Sequence, residues 1–346
     1  MSFTCEIIDP TEYAPFDELL LGSAKPHFFL SSVWADVFKS AYRYKPYYWM
    51  RTLNREMRFL LPMMEVNSFL TGRRAISLPF TDYCEPICEN ETQFHSVLNE
   101  IHAFAEKRRW QTIEFRGGDA FLAKYPAAQS YFTHQLSLSP EPKEVLALFQ
   151  DTTRRNIRKA EREGVLVEHT TSREALAAFY RLNCMTRKKH GLPPQPLSFF
   201  RTLYDRIILT GKGKIYLARV DTQVIAGAIF FEFGDQMIYK YGASDDRFQS
   251  LRANNLIMWK AIEYGCLQGY KQFDFGKTEP GNDGLRRYKL SWGAQEKVIH
   301  YHKYHLAKQR FITERARERH WTTRIFAGMP TILLRVLGKV LYAHAA

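Results

Sequence analysis

What this sequence lacks narrows it before anything it contains. No run of its 346 residues approaches the roughly 20 apolar positions that a membrane-spanning helix needs, so an integral membrane protein is not expected. Met1 to Pro10 carries Glu6 and Asp9 and no basic region ahead of an apolar one, which argues against a secretory signal. Cysteines number five (Cys5, Cys84, Cys88, Cys184 and Cys266), an odd and scattered set. Cys84 and Cys88 have no second Cys or His cluster in the nearby sequence to complete a zinc site, so no metal is expected. Reduced thiols in a cytosolic protein are the reading. Acidic residues are the minority charge, 36 against 49 basic, and the net charge of +13 attracts anions. tRNA, coenzyme A, nucleotide-linked precursors and an anionic membrane surface all qualify, and charge alone does not choose among them.

Hydrophobic residues at 45% and aromatics at 14% supply enough packing area to exclude disorder outside the ends. The length exceeds what one core usually fills, so two domains are expected. An internal repeat supports this. In the first half a helical pattern over Ser31 to Tyr42 leads into strand-like segments Pro46 to Thr52, Met57 to Val66 and Arg74 to Leu78. A helix from Glu91 to Arg109 and a strand from Thr112 to Phe115 follow. The second half repeats the order: helices from Arg173 to His190 and Pro196 to Thr210, strands Gly213 to Val220, Val224 to Phe233 and Gln236 to Ala243. Helix Ala253 to Gln268 and strand Lys271 to Phe275 complete it. Local text recurs too, since Trp110-Gln-Thr-Ile-Glu-Phe-Arg matches Tyr270-Lys-Gln-Phe-Asp-Phe-Gly.

Two-residue turns at Asn54-Arg55 and Gly234-Asp235 require antiparallel neighbours, whereas the helix from Ala253 serves as a crossover to a parallel strand. The expectation is an α/β protein with mixed α+β sheets, two tandem GNAT domains over 1–140 and 141–306, and a tail over 307–346. Ser139-Pro-Glu-Pro forms the linker.

Three stretches carry chemistry. On the helix following Asp151, Arg154, Arg155, Arg158, Lys159 and Arg162 fall largely on one side, with Gly164 as the stop. This is a solvated face or a helix that contacts phosphates of RNA or a nucleotide. In Ile238-Tyr-Lys-Tyr-Gly-Ala-Ser244, strand alternation places Tyr239 and Tyr241 on one face, as core or as substrate contacts. The following turn, Asp245 to Asn255, contains no glycine, so its backbone approaches a pyrophosphate poorly, and Asp245 and Asp246 would repel one. In the third, Phe273-Asp-Phe-Gly-Lys-Thr278 and Gly284-Leu-Arg-Arg-Tyr-Lys-Leu-Ser-Trp-Gly293, a carboxylate and a permissive backbone meet where a split sheet opens a cleft. Lys277, Arg286, Arg287 and Lys289 bring cations to it, although Asp274 could instead cap a turn. Cys184 and His190, six apart on a helix, face away from each other, which argues against a thiol nucleophile.

Taken in order, Asn156-Ile-Arg-Lys-Ala, Tyr239-x-Tyr-Gly-Ala-Ser244, Phe273-Asp-Phe-Gly276 and Gly284-Leu-x-x-Tyr-Lys-x-x-Trp-Gly293 resemble the second domain of the Fem-type aminoacyltransferases and their acetyltransferase-like relatives. Pro79-Phe-Thr-Asp-Tyr83 is similar to a first-domain segment of Gram-negative relatives. The resemblance implies transfer of an amino acid from aminoacyl-tRNA, or of an acyl group from CoA, to an amine of a cell-envelope glycan or peptidoglycan-type precursor. No tightly bound cofactor is implied. By motif match Lys289 corresponds to a lysine near the tRNA acceptor end that stabilises charge in the transition state. Asp274 and Asp82 are the carboxylate candidates, and Tyr83, Tyr239, Tyr241, Gly276, Lys277, Arg286 and Trp292 are the substrate-binding ones. The helical arm of some members is absent, since only Gly191 to Gln195 joins the two helices there.

From Ala307 onward eight basic residues face two acidic ones. Ile325, Phe326, Met329, Ile332, Leu333, Val336, Leu337, Val340 and Leu341 then form a helical stripe interrupted by Pro330. The tail docks on the first domain, or its 322–346 segment lies in an anionic membrane interface on the cytoplasmic side. Two other functions compete with aminoacyl transfer: CoA-dependent N-acetylation of a sugar amine, and a catalytically silent module that holds RNA or a membrane-bound complex.

Overall fold

The computed structural model describes residues 4–314 and 320–344. In chain order the elements are β1 (Glu6–Ile8), α1 (Phe16–Leu21), α2 (Ser32–Tyr42), β2 (Lys45–Leu53), β3 (Glu56–Ser68), β4 (Gly72–Ile76), α3 (Glu91–Arg108), β5 (Thr112–Arg116), α4 (Asp119–Leu122) and β6 (Gln129–Ser137). Then come α5 (Pro142–Ala147), α6 (Asp151–Arg162), β7 (Leu166–Thr170), α7 (Arg173–Lys189), α8 (Leu197–Leu203), β8 (Gly213–Val220), β9 (Gln223–Phe233) and β10 (Gln236–Ser244). The chain continues through α9 (Ala253–Leu267), β11 (Gln272–Thr278), α10 (Asp283–Leu290), β12 (Gln295–His305), β13 (Arg310–Ile312), α11 (His320–Gly328) and α12 (Thr331–Leu341).

Two compact units result: unit 1, Met1–Tyr131, Val298–Arg317 and Tyr342–Ala346, and unit 2, Phe132–Lys297 and Glu318–Leu341. The chain changes unit inside β6 and inside β12, where no Pro- or Gly-rich text marks the change.

Unit 1 orders its strands β1-β2-β3-β4-β5-β12, antiparallel except for β4 beside β5. The β2–β3 turn uses Asn54 and Arg55 at φ 52° and 62°, the pair of left-handed residues that matches the twist of a tight hairpin. The parallel step is bridged by α3, whose first turn is capped by Asn90 through the Gln93 amide (3.0 Å). Phe94, Val97, Ile101 and Ala105 on its inner face pack with Trp49, Phe59, Ile113 and Phe115 of the sheet.

Unit 2 repeats the plan with β6-β11-β10-β9-β8-β7. Here α9 bridges β10 to parallel β11. Along β9, Ala226, Ala228 and Phe230 join the core with Leu256, Ile257 and Ile262 of α9, while Gly227 faces Phe179 of α7 at 3.3 Å from a notional Cβ, so helices cover both faces. The repeat extends to register: Ile76 pairs Glu114 in unit 1 as Ile238 pairs Asp274 in unit 2.

Two expectations require correction. Tyr239 and Tyr241 do not share a face, because the register of β10 against β9 shifts between them and Lys240 is the extra residue of a bulge. Tyr239 packs with Phe230 in the α9-side core, and Tyr241 lies against Phe199 and Phe200 on the other side. The C-terminal helices, expected on the first domain, group with unit 2. α11 and α12 belong to unit 2 and pack on α7, with Leu334 fully buried and Gly338 so close that a Cβ would lie 2.0 Å from the Pro194 carbonyl oxygen. Only the segment after them joins unit 1, where the Tyr44 hydroxyl donates to the carbonyl of Tyr342 (3.2 Å) and Arg74 to that of His344 (2.9 Å).

Arg55 is exposed at a left-handed position that glycine adopts without steric cost, so Arg55→Gly should stabilise the protein by about 0.5–1 kcal/mol. Urea titration measures it, and a loss of stability would show that Arg55 makes a contact worth more than the relieved strain.

Candidate active site

The parallel ladder between β10 and β11 is confined to Gln236–Gln272, Met237–Phe273 and Ile238–Asp274. Beyond those three pairs the strands part: β10 follows β9 through its bulge, and β11 follows β6. A parallel pair that opens in this way leaves a cleft between two backbone edges, at the carboxyl ends of its strands, where ligands of α/β sheets bind.

A second bulge forms the β11 edge of this cleft. Asp274 pairs Gln135 and Lys277 pairs Thr133, so three steps on β11 oppose two on β6. Gly276 supplies the left-handed backbone, φ 69°. Both charged candidates hold this bulge. The Asp274 carboxylate accepts the Gly276 amide at 2.6 Å with one oxygen and the Gln135 side-chain amide at 3.3 Å with the other. Lys289, on the inner face of α10, donates its ammonium to the carbonyls of Gly276 (2.8 Å) and Lys277 (2.9 Å). Each of the two residues is only 3% exposed.

Sequence reasoning missed the histidine opposite this bulge. His134 on β6 is fully buried, and its Nε2 lies 2.9 Å from a Glu296 oxygen. Glu296 is bound in turn by two Arg286 nitrogens at 2.7 and 2.6 Å. Burial, with the Lys289 ammonium next in weight, holds His134 below the usual histidine range, so it is neutral near pH 7. The Arg286 hydrogen bond holds Glu296 below the usual carboxylate range. His134 and Glu296 are 162 residues apart in ordinary strand text, and only the pairing of Arg286 with this region was foreseeable.

The other candidates divide. Gly276 and Lys277 form the bulge. Arg286 stacks its guanidinium 4.1 Å from the Phe132 ring centroid as well as binding Glu296, so it frames the site from α10. Trp292 is a correction: it is fully buried among Phe149, Phe275 and Tyr288 and packs the core instead of facing a substrate. On α6, Arg155 and Arg158 are exposed and Lys159 half-buried, but Arg154 turns back to donate to the carbonyls of Ala147 (3.1 Å) and Phe149 (2.7 Å) and to Asp151. Arg154 therefore fastens α5 to α6 and does not share the outward face with the other three. Burial pushes the Cys84 and Cys184 thiols up, away from nucleophilic thiolate.

Asp82 and Tyr83 belong to unit 1, on the segment after β4. There Leu78 and Phe80 adopt φ 65° and 55°, a conformation that costs a side-chain-bearing residue about 1–2 kcal/mol. Bonds around the segment hold it: Trp34 Nε1 donates to the Thr81 hydroxyl (2.9 Å), and the Tyr301 hydroxyl approaches the carbonyls of Thr81 (3.2 Å) and Asp82 (2.6 Å). Tyr83 packs on His27, centroids 4.6 Å apart.

Residues 149–290, which contain both cleft strands and the Lys289 clamp, match the family described as acetyltransferase (GNAT) domain. This segment carries the GNAT fold, and the chain as a whole shares the fold of tandem GNAT structures. Among curated relatives it is similar to a lipid II:glycine glycyltransferase of Staphylococcus saprophyticus, 21% identical over 45% of this chain and 54% of that one. It thus spans about half the length of the curated relatives it matches. Among solved structures it superposes on FemX with a TM-score of 0.67 at 16% identity, covering 85% of this chain and 96% of the other. A tandem GNAT protein from the clavulanic acid biosynthesis pathway gives a TM-score of 0.56 at 11% identity, covering 87% and 97%.

Two stability measurements probe this site. Gly276→Ala should lose about 1–2 kcal/mol because the alanine must hold a left-handed conformation, and Gly276→Asn should lose less. Equal losses in urea titrations would place the cost elsewhere. For Glu296 the folded pKa is depressed, so its contribution is present above the unfolded value of about 4.3 and disappears as pH falls through the folded value. Glu296→Gln should therefore be less stable than the parent at pH 7, and the two should converge as the pH falls through the depressed folded value. A pH-independent difference would exclude ionisation as the source.

Proposed function

We propose that this protein is an N-acyltransferase that moves an aminoacyl group from aminoacyl-tRNA to an amine of a cell-envelope peptidoglycan-type or glycan precursor, working in the cytoplasm. The observation that carries the reading is the clamped Gly276 bulge, which holds a fixed, polar backbone edge along an open strand cleft. The name of the staphylococcal relative, lipid II:glycine glycyltransferase, supports an amino acid as the transferred group and the acceptor class.

An ester of tRNA is already activated. The neutral amine attacks its carbonyl carbon, the carbon–oxygen double bond opens to an oxyanion, and collapse expels the ribose oxygen, which takes up a proton as the amine gives one up. Such a step needs alignment, exclusion of water and donors preorganised for the oxyanion, and no covalent enzyme intermediate. In this reading Asp274 and Lys289 are positioning residues that keep the backbone at Gly276 and Lys277 from relaxing, and Lys289 adds positive potential from beneath. Asp274 is engaged with the Gly276 amide, which leaves the substrate itself to assist proton removal. Arg155, Arg158 and Lys159 supply the phosphate contacts for RNA.

A coenzyme A donor is the second reading, and the turn after β10 weighs against it. The amides a pyrophosphate would need are spent internally: Arg247 on the Asp245 carboxylate (3.1 Å), Phe248 on the Asp245 carbonyl (3.0 Å) and Arg252 on that of Gln249 (3.2 Å). The repulsion expected from its aspartates is muted, since Asp245 pairs with Arg247 at 2.6 Å and Asp246 with Lys189 at 2.8 Å.

Lys289→Met should lower kcat/KM by about 10²-fold on an aminoacyl-tRNA and peptidoglycan-precursor pair, with Lys289→Arg intermediate. Unchanged kcat/KM in a folded Lys289→Met protein removes the role. Thermal shift separates the donors: aminoacyl-tRNA at about 100-fold over its Kd should add about 2.7 kcal/mol. Stabilisation by acetyl-CoA instead favours the second reading, and equal response to charged and uncharged tRNA without turnover favours a silent RNA-binding module.

A further inference from the structure

The C-terminal helices show two apolar faces, and the protein covers one of them. On α12 the inner face is seated without slack: Leu334 is fully buried and Gly338 touches the Pro193–Pro194 segment. On α11 the carbonyl of Thr323 lies 2.1 Å from where a Cβ on Gly191 would stand. The Arg335 guanidinium lies 5.5 Å from the Tyr180 ring centroid of α7. These contacts fix how the helices are rotated, and so they fix what is turned outward.

Outward are aliphatic side chains. Ile332 is 73% exposed, Val336 58% and Val340 50%, at spacings of four that align them along one stripe, with Leu333 at 52% beside it and Ile325 of α11 at 54%. Single exposed aliphatics are ordinary, but five within sixteen residues of one another form a patch that requires an occupant. The charge that these two helices themselves carry is of one sign, since between His320 and His344 the chain has Arg324, Arg335 and Lys339 and no Asp or Glu.

We propose that the outer face of α11 and α12 docks this protein on an anionic lipid bilayer, with Ile332, Val336 and Val340 entering the headgroup–acyl boundary and Arg324 and Lys339 meeting lipid phosphates. Apolar burial and electrostatic attraction act together at such a surface, and neither alone gives firm attachment. The charge pattern selects this occupant over a second copy of the chain, because two such faces brought together would oppose cation to cation with no carboxylate between them. Attachment is peripheral, since among the described residues no helix is long and apolar enough to cross a membrane. The proposal stands on the helices and does not rest on the donor or the acceptor.

The test is co-sedimentation of the full chain with vesicles of phosphatidylcholine alone and of phosphatidylcholine mixed with phosphatidylglycerol. Binding to the mixed vesicles should exceed binding to the neutral ones by at least about tenfold and should weaken in high salt. Ile332→Glu/Val336→Glu should lose at least about tenfold of it, with Tm unchanged because both positions are exposed. Arg324→Gln/Lys339→Gln should lose binding to mixed vesicles only. Equal binding of the parent to both vesicle types, no binding to either, or full binding by the Ile332→Glu/Val336→Glu protein overturns the proposal. So does a dimer in sedimentation velocity that the same double substitution dissolves. None of these results depends on turnover, so a failure here is distinguishable from a failure of the proposed chemistry.

Discussion

One short piece of backbone governs this molecule: the bulge at Gly276 with its amide and carbonyl held from opposite sides. A buried peptide group that leaves a strand ladder loses its partners, and an unpaired one costs about as much as the bond it would have made. Here Asp274 takes the amide and Lys289 takes two successive carbonyls. Two buried charges would be expensive alone, yet each is held by hydrogen-bonding dipoles of fixed orientation. Sequence order follows from this requirement. The carboxylate must lie two residues before the glycine to reach back to its amide, and the cation must arrive on a helix packed against the strand. Arg286, three residues before Lys289 and so one turn earlier on that helix, fastens the same helix to Glu296, and Glu296 orients His134 across from the bulge. Geometry at the cleft edge is thus set by chemistry beneath it.

How much of this was legible depended on whether a residue's meaning was local. Turn pairs, a helix stop and the repeated element order are written in neighbouring residues, and Asn54-Arg55 and Gly164 sit where the text places them. β6 and β12 were not legible: their polar, histidine- and tyrosine-rich alternation has no flanking turn signal, and the partners that stabilise them are far away in sequence. The face assignment of Tyr239 and Tyr241 failed for a related reason. Strict alternation holds only while each residue has one opposite number, and the extra Lys240 reverses it for everything downstream. Trp292 reads as a site residue because it is adjacent to charged text, whereas its bulk is what fills the space under Phe275. Asp274 and Lys289 could be picked out by motif. That both hold backbone, instead of projecting into the cleft, could be learned only from coordinates.

Each unit solves the same strand-opening problem, and the comparison shows where the duplication diverged. In both, a parallel pair closes its register on an acidic residue, Glu114 in unit 1 and Asp274 in unit 2. Two residues further on, unit 2 has a glycine and unit 1 has Arg116. That arginine bonds Glu114 (2.8 Å), reaches toward the carbonyls of Leu78 and Thr81 (both 3.4 Å) and lies 5.3 Å from the Tyr301 ring centroid. A cation against carbonyls at the strand opening is therefore common to both units, but it comes from the strand in one and from a helix in the other. The difference has a chemical consequence within each unit. Where the strand itself supplies the cation, its side chain occupies the opening and braces the strained Leu78–Phe80 segment that leads to Asp82. Where a helix supplies it, the strand position is left to glycine. Unit 1 has thus turned the same construction into support for a loop.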